Sequence, residues 1–214
     1  MPTNHAIHNI ASGLASPTVT EFTSSGTWTK PSGITTCEIT LVGAGSHNSG
    51  NAIKALLSGA MARFRVTGLP SAQTDYTVTV GTTGAYGDGT IASPKPGGYS
   101  NIIGLDVPGG RAIASSNLGT HAWLKPGTCS TSNTDGGQFL FASTETTMSV
   151  NCNTNVSGAT AELLFSQTHE GRFATATSSD QTRVIGWRHK GTNYGTSSPV
   201  AGSTTNGIVI IRYP

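Results

Sequence analysis

The groups in this 214-residue chain that could move protons are six histidines and ten acidic residues, and three cysteines could supply a thiolate. Their spacing supports little chemistry. His5 and His8 stand close together, but His47, His121, His169 and His189 are each isolated, and neither HExxH nor GxSxG occurs. Without those signatures there is no local pattern for a zinc hydrolase or a nucleophile elbow. Asp75, Asp88, Glu145 and Glu162 could serve glycoside hydrolysis only if folding brought two of them within about 5–10 Å. Solvated acids at strand edges are the simpler reading. The Asp88-Gly89 turn offers one acid where a calcium cage needs several oxygens. Cys37, Cys129 and Cys152 are odd in number and far apart, which fits neither a CxxC metal pair nor a disulfide framework. Cys37 reads as a buried thiol on a strand, while Cys129 and Cys152 are either bridged across a loop or free. No catalytic, cofactor-binding or metal-binding residue is assigned.

One segment imitates a nucleotide site. Ile39-Thr40-Leu41-Val42-Gly43-Ala44-Gly45 followed by Asn51-Ala52-Ile53-Lys54 reads as strand, glycine-rich turn and a ten-residue helix over Asn51 to Ala60. The details then fail. Asn48 stands where a dinucleotide loop needs its third glycine, and no acid lies between Glu38 and Asp75 to hold a ribose. Asn51 stands where a phosphate loop needs lysine. A plain glycine-rich turn remains.

The elements around these residues are strands. Ser and Thr make up 57 residues, Gly 28, and charged residues only 10%, against about 25% in an ordinary globular chain. Apolar residues are 35% and the net charge is +2, so the chain is not of the charge-repelled disordered class; it has a thin core that neighbouring subunits would help to complete. Twelve scattered basic residues make no nucleic-acid footprint, and no run approaches the ~18 apolar residues of a membrane span. Period-2 alternation recurs at Thr36–Val42, Ala62–Thr67, Tyr76–Val80, Ser100–Leu105, Gln138–Phe141, Thr146–Val150, Ala161–Ser166, Arg172–Thr177 and Thr182–His189, with turn residues between. This predicts an all-β fold, an antiparallel, jelly-roll-like β-sandwich with long Gly/Ser/Thr-rich loops. The last strand, Gly207 to Tyr213, carries four consecutive apolar residues, Ile208 to Ile211. Successive side chains alternate in direction, so both its faces must be covered, by the stretch 120–200 or by another subunit. Arg212, on the same face as Ile208 and Ile210, should then mark where that face meets solvent or an acidic partner. Trp28 and Trp187 read as core anchors.

Four segments together resemble a known family. Glu21-Phe22-Thr23-Ser24-Ser25-Gly26-Thr27-Trp28-Thr29-Lys30-Pro31-Ser32-Gly33 running into Ile39–Gly45, then Asp75 to Gly81, then Gly97-Gly98-Tyr99-Ser100-Asn101 leading to Gly109-Gly110, and finally Asn206 to Pro214, look like the glycine-rich domain of bacteriophage tail fibres and other virion appendages. The chain departs from that pattern where His47, Asn48, Tyr86 and Asp88 interrupt the glycine runs, and at about 120–200, which reads as an elaboration inserted before the closing strand.

The resemblance implies a non-enzymatic virion structural protein of tail-fibre or spike type, homotrimeric and exposed on the virion surface, attaching to a host glycan or protein. The alternative is a capsid-decoration protein, cement or head fibre, that binds the shell. It would be made in the host bacterial cytoplasm, since Met1 to Thr20 lack the basic and apolar regions of a signal peptide. Residues 1–20 read as an uncharged arm that docks on another subunit or virion protein, and 21–214 as a single sandwich domain. Trp123, Tyr86 and Tyr194, in loop-like or Gly-flanked settings, are the candidate receptor or subunit contacts, because an exposed aromatic face can stack on a sugar or a neighbouring chain.

Overall fold

The structure, a computed structural model, describes residues 16–46, 53–83, 97–110, 112–114, 138–139, 148–149, 151–152, 159–167, 170–172, 186–198 and 203–214. Its elements in chain order are β1 (Thr18–Phe22), β2 (Gly26–Thr29), β3 (Thr36–Val42), β4 (Ile53–Leu57), β5 (Met61–Thr67), β6 (Asp75–Thr79), β7 (Ser100–Ile102), β8 (Leu105–Val107) and β9 (Ala112–Ala114). There follow β10 (Gln138–Phe139), β11 (Met148–Ser149), β12 (Asn151–Cys152), β13 (Thr160–Gln167), β14 (Glu170–Arg172), β15 (Trp187–His189), β16 (Thr192–Tyr194) and β17 (Ile208–Tyr213). The fold is all-β, with no helix among the described residues. The helix expected over Asn51 to Ala60 is instead strand β4, hydrogen-bonded between β14 and β9. Ten residues are too few to hold a helix by local bonds alone, and these distant strands offer the backbone other partners.

Two five-stranded antiparallel sheets form the sandwich, one in the order β1-β17-β3-β5-β13 and the other β12-β8-β7-β6-β2. Alternation decides which side chains enter. On β3, Cys37, Ile39 and Leu41 point inward, and on β5 Ala62, Phe64 and Val66 do the same. They meet Trp28, Tyr76, Val78, Ile102 and Leu105 from the other sheet in one continuous core. Ile39, Leu41, Phe64, Ile102 and Leu105 are fully buried, each stabilising the fold by roughly 1.5–3 kcal/mol relative to exposure. Stretch 120–200 contributes an edge strand to each sheet, β13 and β12. Strand β1 takes in Thr18 to Thr20 from the segment read as an arm and pairs with β17, Thr18 opposite Tyr213; residues 1–15 lie outside the described set.

Strand β17 is covered on both faces, as its four apolar residues demand. Val209 and Ile211 belong to the main core. Ile208 and Ile210 point the other way and form a second cluster with Val42, on which Met61, Trp187 and Tyr194 pack. The cover is therefore the β15–β16 hairpin, part of stretch 120–200. Further along the same face, Arg212 is half-buried and its Nη1 donates to Thr40 Oγ1 at 3.3 Å. Here the apolar surface gives way to charge.

Two tight hairpins fix these registers. Ile102 pairs with Leu105 across Ile103 (φ 55°) and Gly104 (φ 69°), and His189 pairs with Thr192 across Lys190 (φ 46°) and Gly191 (φ 85°). Positive φ at both central residues marks the primed turns whose twist matches the strands they join. Glycine supplies the second position in each. Ile103 and Lys190 occupy the left-handed region that residues with a Cβ seldom enter.

Candidate functional site

Beyond the ends of the strands the chain changes its material. Gly43-Ala44-Gly45-Ser46, Ser58-Gly59-Ala60, Gly81-Thr82, Gly97-Gly98, Pro108-Gly109-Gly110 and Thr205-Asn206-Gly207 lie outside the strands. Their backbones bond to one another across large sequence distances. Gly43 N–H donates to the Ala60 carbonyl (2.9 Å), Ala44 N–H to Gly98 (3.1 Å), Gly98 N–H to Thr82 (2.9 Å), Gly110 N–H to Ala44 (2.7 Å) and Gly207 N–H to Gly81 (2.9 Å). Buried amides and carbonyls must find partners, and here they find each other without a side-chain core.

Glycine is required by this close approach. A Cβ on Gly43 would overlap the Pro108 carbonyl, one on Gly59 the Gly43 carbonyl, and one on Gly97 the Ala44 carbonyl. Where a side chain is present it is small: Ala44, Ala60, Ser46 and Ser58 are fully buried. Ser100 joins this lattice to the sandwich. Its Oγ donates to the Val42 carbonyl at 2.6 Å and accepts from Gly81 N–H at 3.0 Å.

The lattice also joins other residues far apart in sequence. Ser198 N–H donates to the Ser46 carbonyl (3.2 Å), and Gly97 N–H to the Gly110 carbonyl (3.0 Å). Thr83 N–H donates to Asn206 Oδ1 (3.0 Å). The described residues of this region offer hydroxyls, amides and peptide groups, an arrangement that can hold chain segments in place.

Of the aromatic residues singled out in the sequence, Trp123 and Tyr86 lie outside the described residues, as do Asp88, Glu145, Cys129 and every histidine except His189. Tyr194 is half-buried on the Val42–Ile208–Ile210 cluster, which makes it part of the cover. Trp187 lies beside it in the hairpin pairing and meets Phe165 edge-on, ring centroids 6.4 Å apart. Trp28 is a core anchor, 2% exposed, its ring 5.6 Å from Tyr76 and 5.8 Å from Tyr213. Sequence reasoning passed over Tyr99 within Gly97-Gly98-Tyr99; at 59% exposure it is the most open large apolar residue among those described. Its position between two glycines and a strand was the available signal.

Among the described residues, the acids singled out in the sequence are not brought together. Asp75 and Glu162 occupy outward positions on different sheets, with the core between them. Asp75 Oδ1 accepts from Thr29 Oγ1 at 2.7 Å. Glu162 faces Arg65 at 3.9 Å, Arg65 faces Glu38 at 3.9 Å, and Arg63 also pairs with Glu38. Arg212, Glu38, Arg65 and Glu162 stand opposite one another strand by strand, so the sign alternates across the sheet. At this exposure each pair contributes only about 0–1 kcal/mol. Cys37 is buried, and burial pushes its thiol up to about 12 from 9.0, the neighbouring Glu38 adding to the effect. Such a thiol is inert. No group of three or more His, Cys, Asp or Glu residues suited to a metal occurs among the described residues.

Taken together, the fold and the lattice define an antiparallel β-sandwich capped by interlocked glycine segments. Residues 20–214 match the family model of the glycine-rich domain, and the chain belongs to that family. No curated protein matches it.

Proposed function

We propose that this chain is a non-enzymatic structural protein of a bacteriophage virion, of tail-fibre or spike type. It stands on the virion surface as a homotrimer and attaches to a host glycan or protein. The observation that supports this reading is the glycine lattice, which bonds backbones far apart in sequence, Ser46 to Ser198 and Gly97 to Gly110. A lattice closed by backbone bonds gives a rigid base, and sequence can vary in the segments it carries without disturbing the core. Segment 84–96 carries Tyr86, and Tyr99 stands just beyond it. Trp123 lies in the stretch between β9 and β10. The arm proposed at residues 1–20, of which Thr18 to Thr20 belong to β1, docks on another subunit or virion protein.

The test is to image virions bearing a labelled copy of the protein and to ask whether the purified chain blocks adsorption to the host. Label at the tail or fibre tips together with blocked adsorption supports attachment. Label spread evenly over the shell, with adsorption untouched, replaces this reading with capsid decoration. Release of reducing ends from host polysaccharide, abolished by Glu145→Gln or Glu162→Gln, would overturn the non-enzymatic assignment.

A further inference from the structure

A hairpin with three residues in each strand does not hold its place in water by itself, so the position of β15–β16 comes from three sets of contacts. At its base, Gly186 N–H donates to Thr196 Oγ1 (3.2 Å), Gly195 N–H donates to the Asn206 carbonyl (2.9 Å), and the Gly195 carbonyl accepts from Gly59 N–H (2.8 Å). Along its length, Trp187 and Tyr194 lie on Val42, Ile208 and Ile210. At its tip, Oε1 of Glu21 accepts from His189 Nε2 at 2.9 Å and from Lys190 Nζ at 2.7 Å. The base belongs to the lattice and the tip is fastened to the first strand.

We infer that β15–β16 is a strap, anchored at Gly186 and Gly195 in the lattice and clasped to β1 through Glu21, whose release at the tip uncovers the Ile208–Ile210 face of the sheet. Both flanking glycines are packed against backbone, Gly186 on Tyr194 and Gly195 on Gly43, and Gly195 sits at φ 68°, so the base stays fixed while the tip can lift. The clasp depends on one carboxylate. Among the described residues, the charged or titratable groups near Glu21 are His189 and Lys190 on the strap and Arg212 on β17, whose guanidinium donates to Thr40 on β3. The other near neighbours, Ile210 opposite it and Val19 on its own strand, are neutral. Neutralising Glu21 therefore leaves a cationic tip over a surface that also carries a guanidinium, and the attraction is lost.

Hydrogen bonds from Lys190 and then His189 hold the Glu21 carboxyl below its ordinary value of 4.5. The sign follows: a depressed carboxylate stabilises the clasped state above the ordinary range, and that contribution disappears as pH falls through the lowered value. The aromatic contacts and the base remain, so acid raises the frequency of opening without detaching the hairpin.

Hydrogen–deuterium exchange on the full chain tests this. Glu21→Gln should raise exchange at the Trp187–Tyr194 amides by about tenfold at neutral pH, with β3 and β5 unchanged. The exchanged pair Glu21→Lys with Lys190→Glu should restore much of the protection. Should Glu21→Gln fail to fold, His189→Gln with Lys190→Gln reads the same clasp from residues outside the two main sheets. Wild-type exchange over 187–194 after loss of either side of the clasp would overturn the inference. So would an equal rise across β3, β5 and β17, because Glu21 would then be serving the sheet as a whole.

Discussion

In the sandwich, side chains do the packing; in the glycine lattice, their absence does. Phe64, Ile39 and Leu105 hold two sheets together by removing apolar surface from water, a force that scales with area and tolerates changes of shape. Gly43, Gly59 and Gly97 contribute no such area. They let backbones approach until amides and carbonyls saturate each other, each bond worth only about 1 kcal/mol net. Glycine also loses more freedom on ordering than any other residue. A lattice of this kind must be anchored to something already folded, and Ser100, Val42 and Gly207 are where it meets the sheets. The sandwich should forgive substitutions that conserve volume, whereas the lattice should forgive no added carbon.

The sharpest way to break that contrast is Gly59→Ala. The new methyl would overlap the Gly43 carbonyl, a backbone atom that cannot swing aside. A destabilisation above about 4 kcal/mol, or no folded protein, is expected. Gly191→Ala is the control. Its Cβ would meet nothing within 4 Å, and only the left-handed φ of 85° opposes it, at roughly 1–2 kcal/mol. Chemical denaturation compares the two, and a Gly59→Ala protein as stable as Gly191→Ala would mean that the lattice is loosely packed.

Within the sandwich, Ile210→Asp and Thr79→Asp test the two kinds of strand position. Ile210 is 3% exposed beneath the strap, so an aspartate there is a charge in an apolar cluster with Trp187 and Tyr194 above it. Folding should fail or the strap should detach. Thr79 stands on the exposed face of an alternating strand, and its substitution should change stability by no more than about 0.5 kcal/mol. Ile211→Ala, on the opposite face of β17, should cost about 2–5 kcal/mol. Thermal melting of the three variants ranks them.

A smaller effect appears in alkali. The Cys37 thiol is pushed up to about 12 from 9.0 because its thiolate would be buried. A raised folded value means stability that is complete below the unfolded value and lost as pH rises toward 12. Wild type should therefore lose more stability between pH 8 and pH 11 than Cys37→Val, which keeps the volume and removes the proton. Parallel losses in the two proteins would show that Cys37 is hydrated in the folded state.

What the sequence revealed of this molecule divides along the same line. Strands β3, β5, β6 and β17 were legible because alternation is written in side chains: Cys37, Ile39 and Leu41 against Glu38 and Thr40 require no knowledge of the partner strand. The double covering of β17 was legible for the same reason, although its cover was open between another subunit and stretch 120–200. The lattice was not legible. Gly43, Gly59, Gly81 and Gly97 carry no periodicity, and their shared cause is a contact between backbones far apart in sequence. Strand β4 was mistaken for a helix because Ile53, Leu56 and Leu57 fit either period, and only β14 and β9 decide between them. The Glu21 clasp was hidden too, since 168 residues separate Glu21 from His189.

The finest distinction concerns polar atoms. In the lattice, the buried polar groups described above are matched, whereas, among the described residues, the sandwich holds three that are not: Trp28 Nε1, Tyr76 Oη and Ser166 Oγ are buried without a protein hydrogen-bond partner. The Trp28 and Tyr76 rings stack at 5.6 Å, so packing and polarity oppose each other at one place. Burial raises the Tyr76 hydroxyl above its ordinary 10.0, with Cys37 adding to the shift, as expected of a phenol cut off from water. Tyr76→Phe keeps the ring and removes the unmatched oxygen. It should leave stability unchanged or raise it by up to about 1 kcal/mol, since deleting an unsatisfied buried group relieves its desolvation cost. Urea denaturation near neutral pH is the measurement, because there the phenol is protonated and only its hydrogen bonding is at stake. A loss of 1 kcal/mol or more would mean that the hydroxyl is matched, and the contrast between lattice and sandwich would then rest on Trp28 Nε1 and Ser166 Oγ alone.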